Sequence, residues 1–358
     1  MNDLPNGEWL RRTKSFWLSE TGSPDAKRTR EALAAFTSWL RAEVGDEETD
    51  RLMGQILDSF VYSITPPRDA LKSLHPATFS ECDIERLVTL FSKEGETVLD
   101  PFAGVGSSLI AALRGGRRAI GIELSPEWAD IARQRVAAEA VALDCATALP
   151  EIRVGDSASR IDELSDESVD FVVTSPPYWS ILSKSPGMKT RAERLSRGLA
   201  TDYGDETGDL GAIDDYHEFI DRVAGIFGKC LRVCRAGGYM AVIVSDFRHG
   251  ARFYLYHADL AAAVERTGWT LSGLTVLAQD NKTLYPYGIP YAFVSNVHHQ
   301  YILVFRKPNP AKPSRRPRAA EKGDSTAGRA ASLTASLPRR RSTRRKADAE
   351  APVARGVD

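Results

Sequence analysis

The chain is 358 residues long, 42% hydrophobic and 27% charged, with a formal net charge of −1. That is enough for one large α/β domain with additions, and no stretch approaches the roughly 20 apolar residues of a membrane span. The opening Met1-Asn-Asp-Leu-Pro5 lacks the basic-then-apolar pattern of a secretory signal, and four scattered cysteines, Cys82, Cys145, Cys230 and Cys234, suit a reducing cytoplasm and buried packing rather than a disulfide framework or a metal site.

The first 74 residues read as a helical extension. Between Trp9 and Trp17 the aromatics Trp9, Phe16 and Trp17 alternate with Arg11, Arg12 and Lys14. They are expected to pack this piece against the rest, with nucleic-acid contact as the alternative. Pro24 and Asp25 mark a helix start, and Leu33, Phe36, Trp39 and Leu40 recur at helical spacing up to Val44. A second helix is predicted over Glu47–Phe60.

A strand, glycine turn and helix follow. Glu96–Leu99 is a short apolar strand, and it runs into Asp100-Pro-Phe-Ala-Gly104-Val-Gly106 and the helical Leu109–Leu113. This is how a nucleotide-binding α/β domain opens, although the spacing is neither G-x-G-x-x-G nor a phosphate loop. The next strand, Arg118–Ile122, ends at Glu123. An acidic residue there suits a ribose, since both hydroxyls can donate to one carboxylate. A third, Glu151–Val154, ends in Gly155-Asp156-Ser157, where Asp156 suits an adenine amino group. Each carboxylate alone is also readable as a surface loop residue. Three of them at successive strand ends point to one ligand, because open α/β sheets bind ligands beyond the carboxyl ends of their strands.

Val169–Val173 is a buried strand, and it exits through Thr174-Ser-Pro-Pro-Tyr-Trp179. Two prolines carry no N–H, so they cannot continue a ladder or a helix. They stiffen the exit and turn carbonyls toward a ligand. The serine adds a hydroxyl and the tyrosine a flat face, which together suit a planar base with an exocyclic amine. Trp179 reads at least as well as packing.

At this point the chain resembles the S-adenosylmethionine-dependent amino-methyltransferases of DNA, the N4-cytosine and N6-adenine enzymes. His75-Pro-Ala-Thr-Phe79 resembles their methionine-binding segment, Asp100–Gly106 their cofactor loop and Ser175-Pro-Pro-Tyr178 their catalytic tetrapeptide. Gly237–Asp246 and His299–Phe305 resemble later strands. The likeness spans Ser73 to Lys307, with the cofactor motifs ahead of the catalytic one.

The resemblance implies a Rossmann-like class I methyltransferase fold, α/β, mostly parallel with a late antiparallel strand pair. It implies S-adenosylmethionine as cofactor, contacted by His75, Pro76, Thr78, Phe79, Asp100, Pro101, Phe102, Ala103, Gly104, Gly106, Glu123, Leu124, Asp156 and Ser157. Catalysis would fall to Ser175, Pro176, Pro177 and Tyr178, by direct transfer to a flipped base in double-stranded DNA, with no metal. Serine at the first catalytic position favours cytosine N4; adenine N6, or an RNA or other amine, is the alternative. The expected setting is the cytoplasm and nucleoid, as a monomer or homodimer, with a cognate restriction endonuclease as a possible partner.

The catalytic domain is thus expected over 75–307. Within it, 180–213 forms an insert whose first half carries Lys184, Lys189, Arg191, Arg194 and Arg197, placed to grip a target strand, or else a plain surface loop. Helices are predicted over Tyr216–Val233 and Leu260–Thr267, and strands over Tyr239–Ser245, Leu271–Ala278 and Gln300–Phe305. Asp246 ends a strand, where it supports either the site or the turn. Asn281–Gly288 reads equally as a base-reading aromatic loop or as hairpin packing. From Lys307 onward there are 14 Lys or Arg against 5 Asp or Glu, a net of +9 that leaves −10 on the preceding residues. Residues 308–358 are therefore expected to be a disordered basic tail, attractive to phosphates or merely solubilising.

Overall fold

A computed structural model describes residues 2–5, 16–20, 24–59, 61–64, 70–74, 80–144, 149–179, 209–279 and 294–309. The chain divides into Met1–Lys312 and Pro313–Asp358, and the second unit lies wholly outside the described residues. So do His75–Phe79, Trp9, most of the 180–213 insert, and the aromatic loop at 281–288. No helix among the described residues is long and apolar enough to cross a membrane.

Eleven strands are described: β1 (Phe16–Glu20), β2 (Val61–Ile64), β3 (Thr97–Asp100), β4 (Arg118–Glu123), β5 (Glu151–Val154), β6 (Val169–Thr174), β7 (Cys234–Val244), β8 (Phe247–His249), β9 (Arg252–Tyr254), β10 (Thr270–Ala278) and β11 (His299–Arg306). Nine form one sheet in the order β2-β1-β10-β11-β7-β6-β3-β4-β5, while β8 and β9 pair as a separate hairpin. Only β11 runs against its neighbours in the large sheet, antiparallel to both β10 and β7. The remaining pairings are parallel. The chain winds from β3 outward to β4 and β5, then returns to lay β6 on the other side of β3. That reversal is the topological switch point, where open sheets bind ligands beyond their strand ends.

Alternation along the central strands builds a two-sided core. Val172, Met240, Val242 and Val244 face one side and pack against α8 (Tyr216–Val233) and α9 (Tyr256–Arg266). Phe171, Val173, Ala241 and Ile243 face the other, against α4 (Glu81–Phe91) and α5 (Ser107–Arg114). The helices start where capping chemistry dictates. Ser80 accepts from the Asp83 N–H at the head of α4, and Asp215 accepts from the Glu218 N–H at 2.8 Å at the head of α8. Helix α6 (Pro126–Ala142) opens with proline in its first turn, where the missing N–H costs nothing. Cys230 and Cys234 are buried, and burial pushes the Cys234 thiol up to about 12, so both act as small apolar side chains.

The N-terminal segment is helical, as expected, with α1 (Pro24–Val44) and α2 (Asp46–Ser59). It also does something its sequence did not signal. β1 pairs in parallel with β10, and β2 with β1, so this segment widens the sheet at its far edge. The expected apolar stripe of α1 is only partly covered: Leu40 is buried, whereas Phe36 and Trp39 are 42% and 56% exposed.

One ion cluster locks the helices behind the glycine turn. Glu81 at the start of α4 is buried and meets Lys72 of α3 (Ala70–Leu74), Arg135 of α6 at 2.7 Å and Ser107 Oγ of α5 at 2.9 Å. Arg135 also donates to the carbonyl of Val105 inside the turn, at 2.5 Å. Burial alone would raise the Glu81 carboxyl, but Lys72 and Arg135 hold it at about 2. Removing one partner leaves buried charge uncompensated. Glu81→Gln is therefore expected to lower unfolding free energy by about 3–5 kcal/mol in denaturant titration, with the loss persisting across neutral pH.

Candidate active site

The carboxyl ends of β3, β4, β5 and β6 converge on the turn between β3 and α5. Gly104 and Gly106 in that turn have φ of +52° and +80°, the left-handed region where a side chain would be strained. A Cβ on Gly106 would also press on the Ala132 Cβ of α6 at 3.2 Å. The turn closes on itself through Gly106 N–H to Ala103 O at 2.8 Å, and Ala103 N–H reaches Ile122 O of β4 at 2.9 Å.

Three side chains stitch this turn to its neighbours. Glu123, at the end of β4, accepts from the Gly104 N–H at 2.8 Å with Oε2 and from the Ser125 N–H at 2.9 Å with Oε1. Ser157, at the head of α7 (Ser157–Asp162), donates to Pro101 O at 2.5 Å. Asp100, at the end of β3, is fully buried and accepts from Phe102 N–H at 2.9 Å, Ser108 Oγ and Thr174 Oγ1 at 2.6 Å. Thr174 is the last residue of β6 and immediately precedes Ser175. The glycine turn and the Ser-Pro-Pro-Tyr corner are thus joined through one carboxylate. Asp100 itself is fully buried, and its three hydrogen bonds hold the turn.

Burial drives both acidic groups upward. Desolvation raises Glu123 to about 7 against the backbone N–H bonds of Ser125 and Gly104, with the nearby Asp100 adding to the rise. Desolvation likewise raises Asp100 to about 6, although Ser108, Thr174 and Phe102 all favour its ionised form. Asp156 caps α7, its Oδ2 accepting from Ser159 N–H at 3.0 Å and Ser159 Oγ at 2.9 Å. Its Oδ1 accepts no hydrogen bond among the described residues. Leu124 lies between Glu123 and Ser125 in the β4–α6 turn. Carboxylates at the β4 and β5 ends beside a left-handed glycine turn have the chemistry to hold a nucleoside: acceptors for hydroxyls and an amine, next to backbone with no side chain in the way.

The corner itself is held from several sides. The Pro177 carbonyl accepts from Tyr256 Oη of α9 at 3.3 Å. Tyr178 is half-buried, its phenol raised by burial; Gln300 Nε2 donates to it at 3.3 Å and the Ser175 side chain lies beside it. Its ring meets Tyr256 and Phe247 edge-on at 5.9 and 6.5 Å. Trp179 is buried, with φ of +25°, and its Nε1 donates to Ile213 O at 2.9 Å. It packs on Tyr216, His249 and Tyr254, so its role in this structure is packing.

Further residues join this face: Asp246, at the strand end predicted from sequence, and His257, Tyr301 and Gln279, with no local sequence signal. Asp246 pairs with His257 Nδ1 at 2.7 Å and accepts the His257 N–H at 3.1 Å. The His257 ring stacks on Tyr301 at 3.8 Å. Gln279 donates to Gln300 Oε1 at 2.9 Å. Among the described residues, no group of three or more His, Cys, Asp or Glu is arranged to hold a metal ion.

Comparison with known proteins shows the family to which the chain belongs. The sequence profile of a DNA methylase family, the N6/N4 type, matches residues 11–134 and 169–348. Similar curated proteins include the type II methyltransferase M2.DpnII of Streptococcus pneumoniae, 39% identical over 85 residues, or 24% of this chain and 32% of that protein. The type II methyltransferase M.ScaI of Streptomyces caespitosus is 39% identical over 72 residues, 20% of this chain and 24% of the relative. These alignments therefore span a third or less of the curated relatives. A putative DNA modification methylase from Thermus thermophilus, solved in complex with S-adenosyl-L-methionine, is 25% identical over 45% of this chain and 56% of that one, with a TM-score of 0.30. That superposition is too loose to add to the fold read from the strand order.

Two measurements follow from this geometry. Glu123 and Asp100 hold protons more tightly folded, at about 7 and about 6, than at their ordinary values of 4.5 and 3.8. The folded state then binds more protons than the unfolded state over that window, so stability falls as pH rises through it. The melting temperature of the ligand-free protein is expected to drop between about pH 5 and pH 8, with a shallower drop in Glu123→Gln; an unchanged slope in that variant would place the protons elsewhere. Thr174→Val removes one donor from a buried carboxyl. It should cost about 1–3 kcal/mol in denaturant unfolding.

Proposed function

The chain belongs to the DNA methylase family of N4-cytosine and N6-adenine enzymes, and on that premise we propose that it is a site-specific DNA methyltransferase acting on the exocyclic N4 amine of cytosine. The observation that supports this most is the Asp100 bridge, because it sets the Ser175–Tyr178 corner and the glycine turn on adjacent strand ends. A methyl donor on one side and an acceptor amine on the other require that adjacency.

The cofactor of this chemistry is S-adenosylmethionine, and the donor set at the β4 and β5 ends fits it. When bound, it supplies a methyl group carried on a positively charged sulfur. In this proposal Glu123 accepts from the ribose hydroxyls with the lone pairs that Gly104 and Ser125 do not use. Asp156 Oδ1 accepts from the adenine amino group. The Pro101–Gly106 backbone lines the cleft, and Leu124 and Ser157 border it. His75, Pro76, Thr78 and Phe79, outside the described residues, are assigned to the methionine end.

The target base is turned out of the duplex, because its amine is otherwise occupied in pairing. The Ser175 hydroxyl and the Pro176 carbonyl accept from the two amine hydrogens, which makes the nitrogen pyramidal and its lone pair available. The Pro177 carbonyl accepts from Tyr256, which holds the corner in place while leaving a second lone pair on that oxygen. Tyr178 walls the base, its ring held by Tyr256 and Phe247. The bound cofactor would supply the methyl group and leave as a neutral thioether, and the surplus amine proton would pass to solvent; Ser175 and Pro176 hold the amine for that transfer. Catalysis rests on positioning and electrostatic fit, with no covalent intermediate on the protein. The proposed setting is cytoplasmic, nucleoid-associated double-stranded DNA, with or without a companion endonuclease.

The test is to digest nucleic acid from cells expressing the protein and identify modified nucleosides by mass. N4-methylcytosine in DNA is the expected product. N6-methyladenine would move the target to adenine, and modified RNA beside unmodified DNA would reject the DNA reading. Ser175→Ala is expected to lower kcat on the order of a hundredfold, the usual cost of one preorganised hydrogen-bond partner. Its binding of S-adenosylmethionine, measured by calorimetry, should be unchanged.

A further inference from the structure

Directly after β7, the chain makes a short antiparallel ribbon, β8 against β9, with Phe247 opposite Tyr254, Arg248 opposite Phe253 and His249 opposite Arg252. The turn runs through Gly250, with φ of +59°, and Ala251. The root of this ribbon is tied to the catalytic corner. Phe247 stacks on Tyr254 at 5.5 Å, Trp179 meets His249 at 4.8 Å and Tyr254 at 5.5 Å, and Tyr178 meets Phe247. The tip is exposed at Arg248, Gly250, Ala251 and Arg252.

Arg248 and Arg252 lie on opposite faces of the ribbon, because residues facing each other across a ladder share a face and successive residues alternate. Each guanidinium lies over a ring of the partner strand or its own strand: Arg248 over Phe253 at 5.7 Å and Arg252 over Tyr254 at 4.7 Å. The ring holds the cation in place while its N–H groups remain available. Arg248 also donates one bond to Ala251 O at 2.9 Å, which fixes the tip. Residues 247–255 contain no acid. The carboxylates nearby are spent, Asp246 on His257 and Asp259 on the Tyr216 hydroxyl at 2.8 Å. Among the described residues neither arginine is ion-paired.

Residues before the basic tail carry a net charge of −10, so a polyanion can approach this part only through local positive spots. A rigid ribbon with an arginine on each face, rooted one ring away from Tyr178, is such a spot. We propose that this hairpin is a DNA wing: Arg248 and Arg252 pair with backbone phosphates of the duplex beside the extruded base, and so set the register of the target in the cleft. A two-stranded ribbon has the width to lie in a DNA groove, and phosphate contacts of this kind position without reading sequence. The inference rests on the proposed DNA methyltransferase function.

The test uses the full chain and a short fluorescent duplex of mixed sequence, titrated across salt concentrations. Arg248→Ala/Arg252→Ala is expected to weaken binding about tenfold or more and to reduce the slope of log affinity against log salt by about two, one counterion per lost phosphate contact. Arg248→Lys/Arg252→Lys should restore most of the slope. Binding of S-adenosylmethionine and the melting temperature should match wild type in both variants, which separates a lost DNA contact from a damaged fold. Wild-type affinity and slope in the alanine variant would overturn the wing while leaving the methyltransferase reading intact. A wild-type protein that binds no duplex at all would overturn both.

Discussion

The side chain of Asp100, at the end of β3, accepts a hydrogen bond from Thr174 at the end of the neighbouring β6, and the site depends on it. β3 and β6 are adjacent and parallel, so their carboxyl ends must lie together. Adjacency alone would leave two loops free to move past each other. Thr174 on one side, and Phe102 and Ser108 on the other, converge on a single buried carboxyl. In the proposed reaction the distance between methyl donor and amine has to be held within a fraction of an ångström. A satisfied buried hydrogen-bond cluster between the two loops supplies that rigidity without occupying the cleft.

Three carboxyls, two buried (Glu81 and Asp100) and one half-buried (Glu123), respond in opposite ways. Glu81 faces Lys72 and Arg135 and stays ionised far below neutral pH. Asp100 and Glu123 have only neutral donors around them, and desolvation carries both upward. The difference lies in partner charge, since desolvation pushes all three upward. Behind the turn, the ion cluster clamps helices α3 to α6. At the cleft, Glu123 has no cationic partner and keeps acceptor lone pairs free, while Asp100 is fully buried among its own donors. A cationic, hydroxyl-bearing ligand of the kind proposed would relieve part of that desolvation cost, so ligand binding and fold stability draw on the same groups.

On the other side of the corner the restraint is aromatic rather than ionic. Tyr178, Trp179, Tyr216, Phe247, Tyr254 and Tyr256 form a continuous set of tilted and edge-on ring contacts. The rings come from the corner, from α8 and α9, and from the hairpin that leaves β7. Such geometry gives directional packing with few rotatable bonds. It explains why a residue after two prolines can adopt a left-handed backbone at Trp179: the buried ring and its hydrogen bond to Ile213 offset the strain.

Much of this was legible in the sequence, and for local reasons. Apolar runs ending in Asp100, Glu123, Asp156 and Ser175 marked four strand ends, because burial, turn chemistry and proline stiffness act over a few residues. The chain order of those ends already fixed which loops could face a ligand in a wound sheet. The long helix over Tyr216–Val233 could be placed for the same reason. What the sequence did not contain was anything set by contacts between distant segments. β1 and β2 become strands because β10 offers them an edge. Asp100 is tied to β6 because Thr174, 74 residues later, reaches it. Arg248 and Arg252 come to sit on one ribbon beside Tyr178 because Trp179 packs against the His249 and Tyr254 rings of that ribbon. Periodicity and motif spacing determine which element forms; which side chains meet across the interior is decided only when the sheet closes and each buried polar group must find a partner.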